Sequence, residues 1–164
     1  MKKDLFCKSL SMWQENGLFY VENDTSCGIL SVEPIFFGQG LIIPKFHVEK
    51  LSKLYPEQSK DFLSLPETFH EKILNDYKNN LDYLVSFYEN LYDNPQTPKS
   101  KILASYILNS DQLNEIPIGF NTGINMGKPA GQLINHLHIH YIPRRESDKT
   151  NLGFLTAMNK LLNN

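Results

Sequence analysis

The chain reads as a mixed α and β protein, and three observations predict it. From His136 to Ile142 a period-two alternation places histidines against apolar residues. From Phe69 to Leu91 apolar residues recur mostly three and four apart. Residues 17 to 47 hold short apolar runs broken by turn residues. Period two marks strands, and a period near 3.6 marks helices. The length of 164 residues predicts one domain, 1–164, with enough chain to bury a core.

The elements follow in order. Leu18 to Val21 is apolar and aromatic, and Glu22-Asn23-Asp24 is a turn signal. Cys27 to Val32 reads as a second strand, closed by Glu33-Pro34. Gly38-Gln39-Gly40 turns the chain into Leu41-Ile42-Ile43, a short buried strand whose ladder Pro44 ends. This is the start of an antiparallel meander. Pro56 can open a helical turn, because proline suits the first helical position. Pro66 is expected to start a longer amphipathic helix whose apolar stripe includes Phe69, Ile73, Tyr77, Leu81, Leu84, Tyr88 and Leu91. Asn94-Pro95 stops it. Ile102 to Leu108 is apolar but fits neither period clearly. Ile116 to Met126 reads as a strand, Gly127 to Gly131 as a loop, and the histidine strand follows. A C-terminal helix or tail is expected over 149–164.

Composition narrows the function. The formal net charge is −2, which gives no electrostatic case for duplex nucleic acid as a partner. No apolar run approaches the roughly 20 residues that span a bilayer, so no membrane partner is expected. Asp4, Lys8 and Gln14 interrupt the N-terminus, which does not read as a signal peptide. Cys7 and Cys27 make no disulfide framework, and a cytoplasmic setting is the expectation.

Three of the five histidines stand at 136, 138 and 140. On a strand they would form a row on one face, with Leu137, Ile139 and Tyr141 on the other. Imidazole ligates metals, but the outer pair of such a row would be roughly 13 Å apart. A metal would therefore need His47 or Cys7. Imidazole is also a nucleophile at phosphorus, with flanking histidines to stabilise phosphoryl oxygens. Gly131 lets backbone amides approach a phosphate, and Gln132 adds a side-chain donor. The bland reading is three structural or exposed histidines. His70 reads as a surface histidine, and Arg144 and Arg145 either steer phosphate or are simply solvated.

His136-Leu137-His138-Ile139-His140-Tyr141-Ile142 resembles the signature of the histidine triad (HIT) superfamily, hydrolase-type branch. Gly131-Gln132 resembles its phosphate-binding turn, and Ile42 to His47 resembles its Ile-Pro-Lys-x-His strand end. Gly119 to Asn125 resembles its penultimate strand. The likeness covers about 5–148. It implies an α+β fold, an antiparallel sheet of about five strands with a long helix packed on it, and pairing into a homodimer. It implies a nucleotide substrate and hydrolysis at the α-phosphorus of a nucleoside phosphoramidate or dinucleoside polyphosphate. His138 would be the nucleophile, carrying a covalent nucleotidyl group. His140 would bind phosphoryl oxygens, and His136 would hydrogen-bond within the site with His47. Asn125, Gly131 and Gln132 would meet the phosphate.

The sequence departs from the family at four places. Leu133 replaces a hydroxyl residue near the leaving group. Ser31 replaces an acidic or amide residue at the ribose, and Gln39 replaces a common histidine. Asp4 replaces the first cysteine of a Cys-x-x-Cys pair. No cofactor is expected; the alternative is a zinc site on Cys7, His47 and His136. The alternative function is a catalytically weak nucleotide-binding or regulatory module.

Overall fold

The computed structural model describes residues 4–148; the C-terminal helix or tail expected over 149–164 lies outside the described residues. A helix, α1 (Leu5–Glu15), comes first. Sequence reading did not anticipate it, although its signals are present. The Asp4 carboxylate caps it by accepting from the Cys7 backbone N–H at 3.0 Å, as N-cap aspartates do. Gly17, at φ 66°, ends it, and Phe6 and Leu10 form its buried face.

The sheet has five strands: β1 (Val21–Glu22), β2 (Ser26–Leu30), β3 (Gly40–Pro44), β4 (Gly119–Gly123) and β5 (Ile139–Arg144). Their spatial order is β1-β2-β3-β5-β4, and every pairing is antiparallel. This is the expected α+β architecture. Alternation splits the apolar residues between two faces. Ile42, Ile139 and Tyr141 join Phe62, Phe69 and Ile73 in the main core. Cys27, Ile29 and Ile43 pack on the other face against Phe6 and Leu10. Leu137 also enters the main core, so Leu137, Ile139 and Tyr141 do share one side.

Helix α2 (Pro56–Asn79) covers the main-core face. Pro66 lies inside it rather than at its start. The proline is buried within the helix together with Phe62, Leu65 and Phe69, and packing of that face carries the helix through the missing N–H. The stripe expected to run unbroken to Leu91 is interrupted at Asn80, whose φ of −155° separates α2 from α3 (Leu81–Asp93). The unassigned patch becomes α4 (Pro98–Leu108), with Thr97 accepting from the Ser100 N–H at 3.0 Å and proline at its first turn. Leu103 of α4 joins Ile35, Phe36 and Ile142 in a small third cluster.

Two glycines fit the sheet to α2. A Cβ on Gly28 would lie 2.7 Å from the Phe69 ring. A Cβ on Gly40 would meet the same ring and the Ile29 carbonyl. The rings of Phe69 and Tyr141 stand 4.6 Å apart and tilted by 42°, so glycine in β2 and β3 makes room for an aromatic pair packed on the histidine strand.

Candidate active site

The histidines do not form a simple row along one strand. β5 begins at Ile139, and His136 and His138 lie on the bent chain entering it. Leu137 there donates its N–H to the Val48 carbonyl at 2.7 Å, and His136 turns toward α1. His138 and His140 do face one another, with ring centroids 5.0 Å apart. Phe6 stands edge-on to both His136 and His138, at 5.6 and 5.5 Å. Helix α1 thus places an aromatic ring between the first two histidines.

Hydrogen bonding fixes the state of His138. Its Nδ1 lies 2.8 Å from the His136 carbonyl oxygen. A carbonyl only accepts, so Nδ1 carries the proton and Nε2 presents its lone pair. Burial lowers the pKa of His138 below the ordinary histidine value; the bond to the His136 carbonyl opposes this, and the His136 ring adds to it. Burial, then the neighbouring His138, pushes His140 down to about 4. Both rings are therefore neutral at neutral pH. The Nε2 of His140 is buried with no hydrogen-bond partner among the described residues.

The loop before β5 supplies a second such nitrogen. Gln132 accepts the Gly127 N–H through Oε1 at 2.7 Å. That bond orients the amide, and its buried Nε2 has no partner among the described residues. Gly131 sits in the left-handed region at φ 87°, and a Cβ there would lie 3.3 Å from Asn125 Nδ2. Glycine satisfies both the conformation and the close approach. Asn125 is buried at this loop. A cleft of about 330 Å³ opens beside it, lined by Glu49, Lys50, Met126, Gly127, Gln132 and Asn135.

His136 and His47 belong to a second cluster, and they do not pair as expected. His136 Nε2 lies 3.0 Å from the Pro44 carbonyl oxygen. Its Nδ1 faces the Asp4 carboxylate at 3.2 Å and the Cys7 sulfur at 3.6 Å. His47 Nδ1 is 2.7 Å from the same carboxylate oxygen and 3.5 Å from the sulfur. Asp4, Cys7, His47 and His136 each offer one ligand atom, all within 4.8 Å of one another. Carboxylate, thiolate and imidazole are all zinc ligands, so this set fits a tetrahedral ion, with Asp4 where the sequence shows a missing cysteine. Burial alone would raise the pKa of Asp4. Hydrogen bonds from the Cys7 N–H and thiol, with His136 and His47, outweigh it and hold the carboxyl below its ordinary value.

The other residues noted in the sequence have structural partners. Arg145 is buried and donates to the carbonyls of Phe37, Gln112 and Glu115 and to the Tyr77 hydroxyl. Arg144 pairs with Asp148 at 3.3 Å. His70 is partly buried rather than on the surface, with Nδ1 2.7 Å from the Tyr141 hydroxyl. Gln39 is buried and accepts from the Ile35 and Phe36 N–H groups. Ser31 is buried, its hydroxyl accepting from the Glu33 N–H. Leu133 is 92% exposed.

Sequence reasoning passed over Asp4 and Phe6 as site residues. Their signal was an aspartate three before a cysteine, at a helix start, with an apolar residue between.

Comparison with known proteins agrees with this geometry. The family model described as the HIT domain matches residues 14–147. An adenylylsulfatase of Arabidopsis thaliana is 26% identical over 144 residues, covering 88% of this chain and 53% of the relative. An adenosine 5'-monophosphoramidase of Candida albicans is 25% identical over 149 residues, covering 91% and 74%. The crystal structure of a HIT family protein from Bacillus anthracis superposes with a TM-score of 0.56 at 20% identity, covering 99% of this chain and 92% of that one. With its three histidines around the start of β5 and a family match over residues 14–147, this chain belongs to the HIT domain family.

Proposed function

We propose that the protein is a nucleotide hydrolase acting at the α-phosphorus of a nucleoside phosphoramidate or a dinucleoside polyphosphate. The carrying observation is His138 Nε2, its lone pair free, in a site with two buried, unpartnered nitrogens on His140 and Gln132. Buried polar atoms are almost always paired, and phosphoryl oxygens would pair these.

In the first step Nε2 of His138 attacks phosphorus. A nitrogen–phosphorus bond forms, and the bond from phosphorus to the leaving group breaks. His140 and Gln132 hydrogen-bond the phosphoryl oxygens, where transition-state charge is stabilised. Asn125, buried beside the loop, would line the same oxygens; the N–H groups of Ala130, Gly131 and Gln132 are held by the Gly127 and Lys128 carbonyls and shape the loop instead. The leaving group draws its proton from solvent, because Leu133 has none to give. Water then cleaves the nitrogen–phosphorus bond, releasing a nucleoside monophosphate and restoring neutral His138. His136 positions the nucleophile through its carbonyl. The cleft beside the loop offers room for the leaving group. Relatives named as an adenylylsulfatase and an adenosine monophosphoramidase support this substrate class.

A second reading is a nucleotide-binding or regulatory module with weak turnover. It is favoured by Ser31, whose hydroxyl already holds the Glu33 N–H where a ribose contact is expected, and by the apolar, exposed Leu133. Monophosphate release from an adenosine phosphoramidate and from a dinucleoside polyphosphate, with His138→Asn as control, separates the readings. Release that the variant abolishes supports the hydrolase. Binding without release supports the module. β4 is an edge strand beside the exposed Ile116 and Ile118. We take it as the seam of a homodimer, which sedimentation tests.

A further inference from the structure

We propose that Lys50 is a specificity-determining residue of this site, and that it selects a leaving group bearing anionic phosphate. The proposal rests on the reading of His138 as the attacking group and narrows it to one of the two substrate classes.

Packing fixes where Lys50 stands. The chain that leaves β3 runs beside the approach to β5. The Val48 carbonyl accepts the Leu137 N–H at 2.7 Å, and Glu49 Oε1 accepts from Asn135 Nδ2 at 2.5 Å. Val48 is buried, and Leu51, which opens a short 3-10 turn, packs on the main core. Lys50 lies between these anchors in extended backbone, at φ −137° and ψ 140°. It is exposed and lines the cleft of about 330 Å³ together with Gln132. The amide that would hold a phosphoryl oxygen and the lysine ammonium therefore share one cleft.

The other polar groups of the lining are already engaged. Asn135 Nδ2 goes to Glu49, whose same oxygen faces His47 Nε2 at 3.6 Å. The Gly127 N–H goes to Gln132 Oε1. Among the described residues, Lys50 Nζ and Gln132 Nε2 are the lining side-chain donors without a partner. Lys128 adds a second exposed cation on the adjoining loop, next to Gly127. Against the single carboxylate of the lining, itself hydrogen-bonded, the mouth of the cleft carries a positive excess.

The chemistry of departure gives that charge a use. When the bond from phosphorus to a bridging oxygen breaks, its electron pair stays on that oxygen. A polyphosphate leaves as an anion and needs no proton, which suits a site where Leu133 has none to give. Its remaining phosphates extend along the cleft to the ammonium, a compact point charge suited to them. Ammonia, the smallest amine leaving group, would leave the cleft unused. Hydrogen bonds between ionised partners are the strong class, so Lys50 favours the phosphate-bearing leaving group over a neutral one.

The test assays the full chain with a dinucleoside tetraphosphate and with an adenosine phosphoramidate. The readout is the ratio of kcat/KM for the first to kcat/KM for the second. It should fall about 10-fold in Lys50→Met, the scale of one hydrogen bond to a charged group, and recover in Lys50→Arg. Added salt should lower the ratio in the parent, since an exposed charge is screened. Lys128→Met should move it less. An unchanged ratio in Lys50→Met, or an equal fall in Lys128→Met, would overturn the role of Lys50. A parallel titration needs no turnover. In the His138→Asn background ATP should bind about 10-fold more tightly than AMP, again the scale of one charge-assisted bond, and adding Lys50→Met should erase the difference. That preference, with no monophosphate released from either substrate by the parent, would sustain Lys50 and overturn the hydrolase reading. Equal binding of AMP and ATP would overturn Lys50 and leave the hydrolase reading intact.

Discussion

At the residue scale the chemistry rests on single hydrogen bonds. In the proposed reaction His138 attacks through Nε2, because the His136 carbonyl holds Nδ1–H at 2.8 Å. His138→Asn should lower turnover by about 10⁴-fold or more, as removing a nucleophile does. Assays of monophosphate release with circular dichroism on the same samples check this. Gln132→Ala removes a donor aimed at developing charge and should cost about 10²- to 10³-fold in kcat. Protonation of His138 would destroy the nucleophile, and burial lowers its pKa. The acid limb of kcat/KM should therefore lie below the ordinary histidine value of about 6.5. An acid limb above that value would contradict the burial argument.

At the scale of elements, glycine placement decides how α2 seats on the sheet. Gly40→Ala drives a methyl into the Phe69 ring and the Ile29 carbonyl. A loss of about 1–3 kcal/mol is expected, as for overpacking in a closed core, and urea unfolding measures it. Phe69→Ala, at a site with no exposure, should cost about 3–5 kcal/mol. Helix boundaries show how far local pattern reaches. The apolar stripe of α2 and α3 was legible residue by residue, yet its break at Asn80 was not. Asparagine is only mildly unfavourable inside a helix, so packing chose the breakpoint. Pro66 misled for a related reason: proline marks a boundary locally, and a buried face overrides it. Helix α1 went unnoticed because its stripe is short, although Asp4 and Gly17 bracket it.

For the whole molecule, burial of neutral histidines links stability to pH. His140 is held near 4 when folded and returns to about 6.5 when unfolded. The unfolded chain therefore binds the extra proton first. Stability is unaffected above about pH 6.5 and falls as pH drops from there toward 4, by an amount of the order of 3 kcal/mol. Melting temperatures across that range, compared with His140→Gln, should show a flatter acid decline in the variant.

The sequence by itself determined the class of fold, the two faces around β5 and the grouping of three histidines at its start. These follow from periodicity and from residue types that stand close together in the chain, where local geometry is nearly fixed. Leu137, Ile139 and Tyr141 reached the core as their alternation required. Only the tertiary structure decided that His136 leaves the row for Asp4, Cys7 and His47, that Arg145 is a buried brace and that His70 bonds to Tyr141. Those contacts join residues 132, 43 and 71 positions apart. No local period encodes them; they appear when separate segments pack and each buried polar group finds the partner its burial demands.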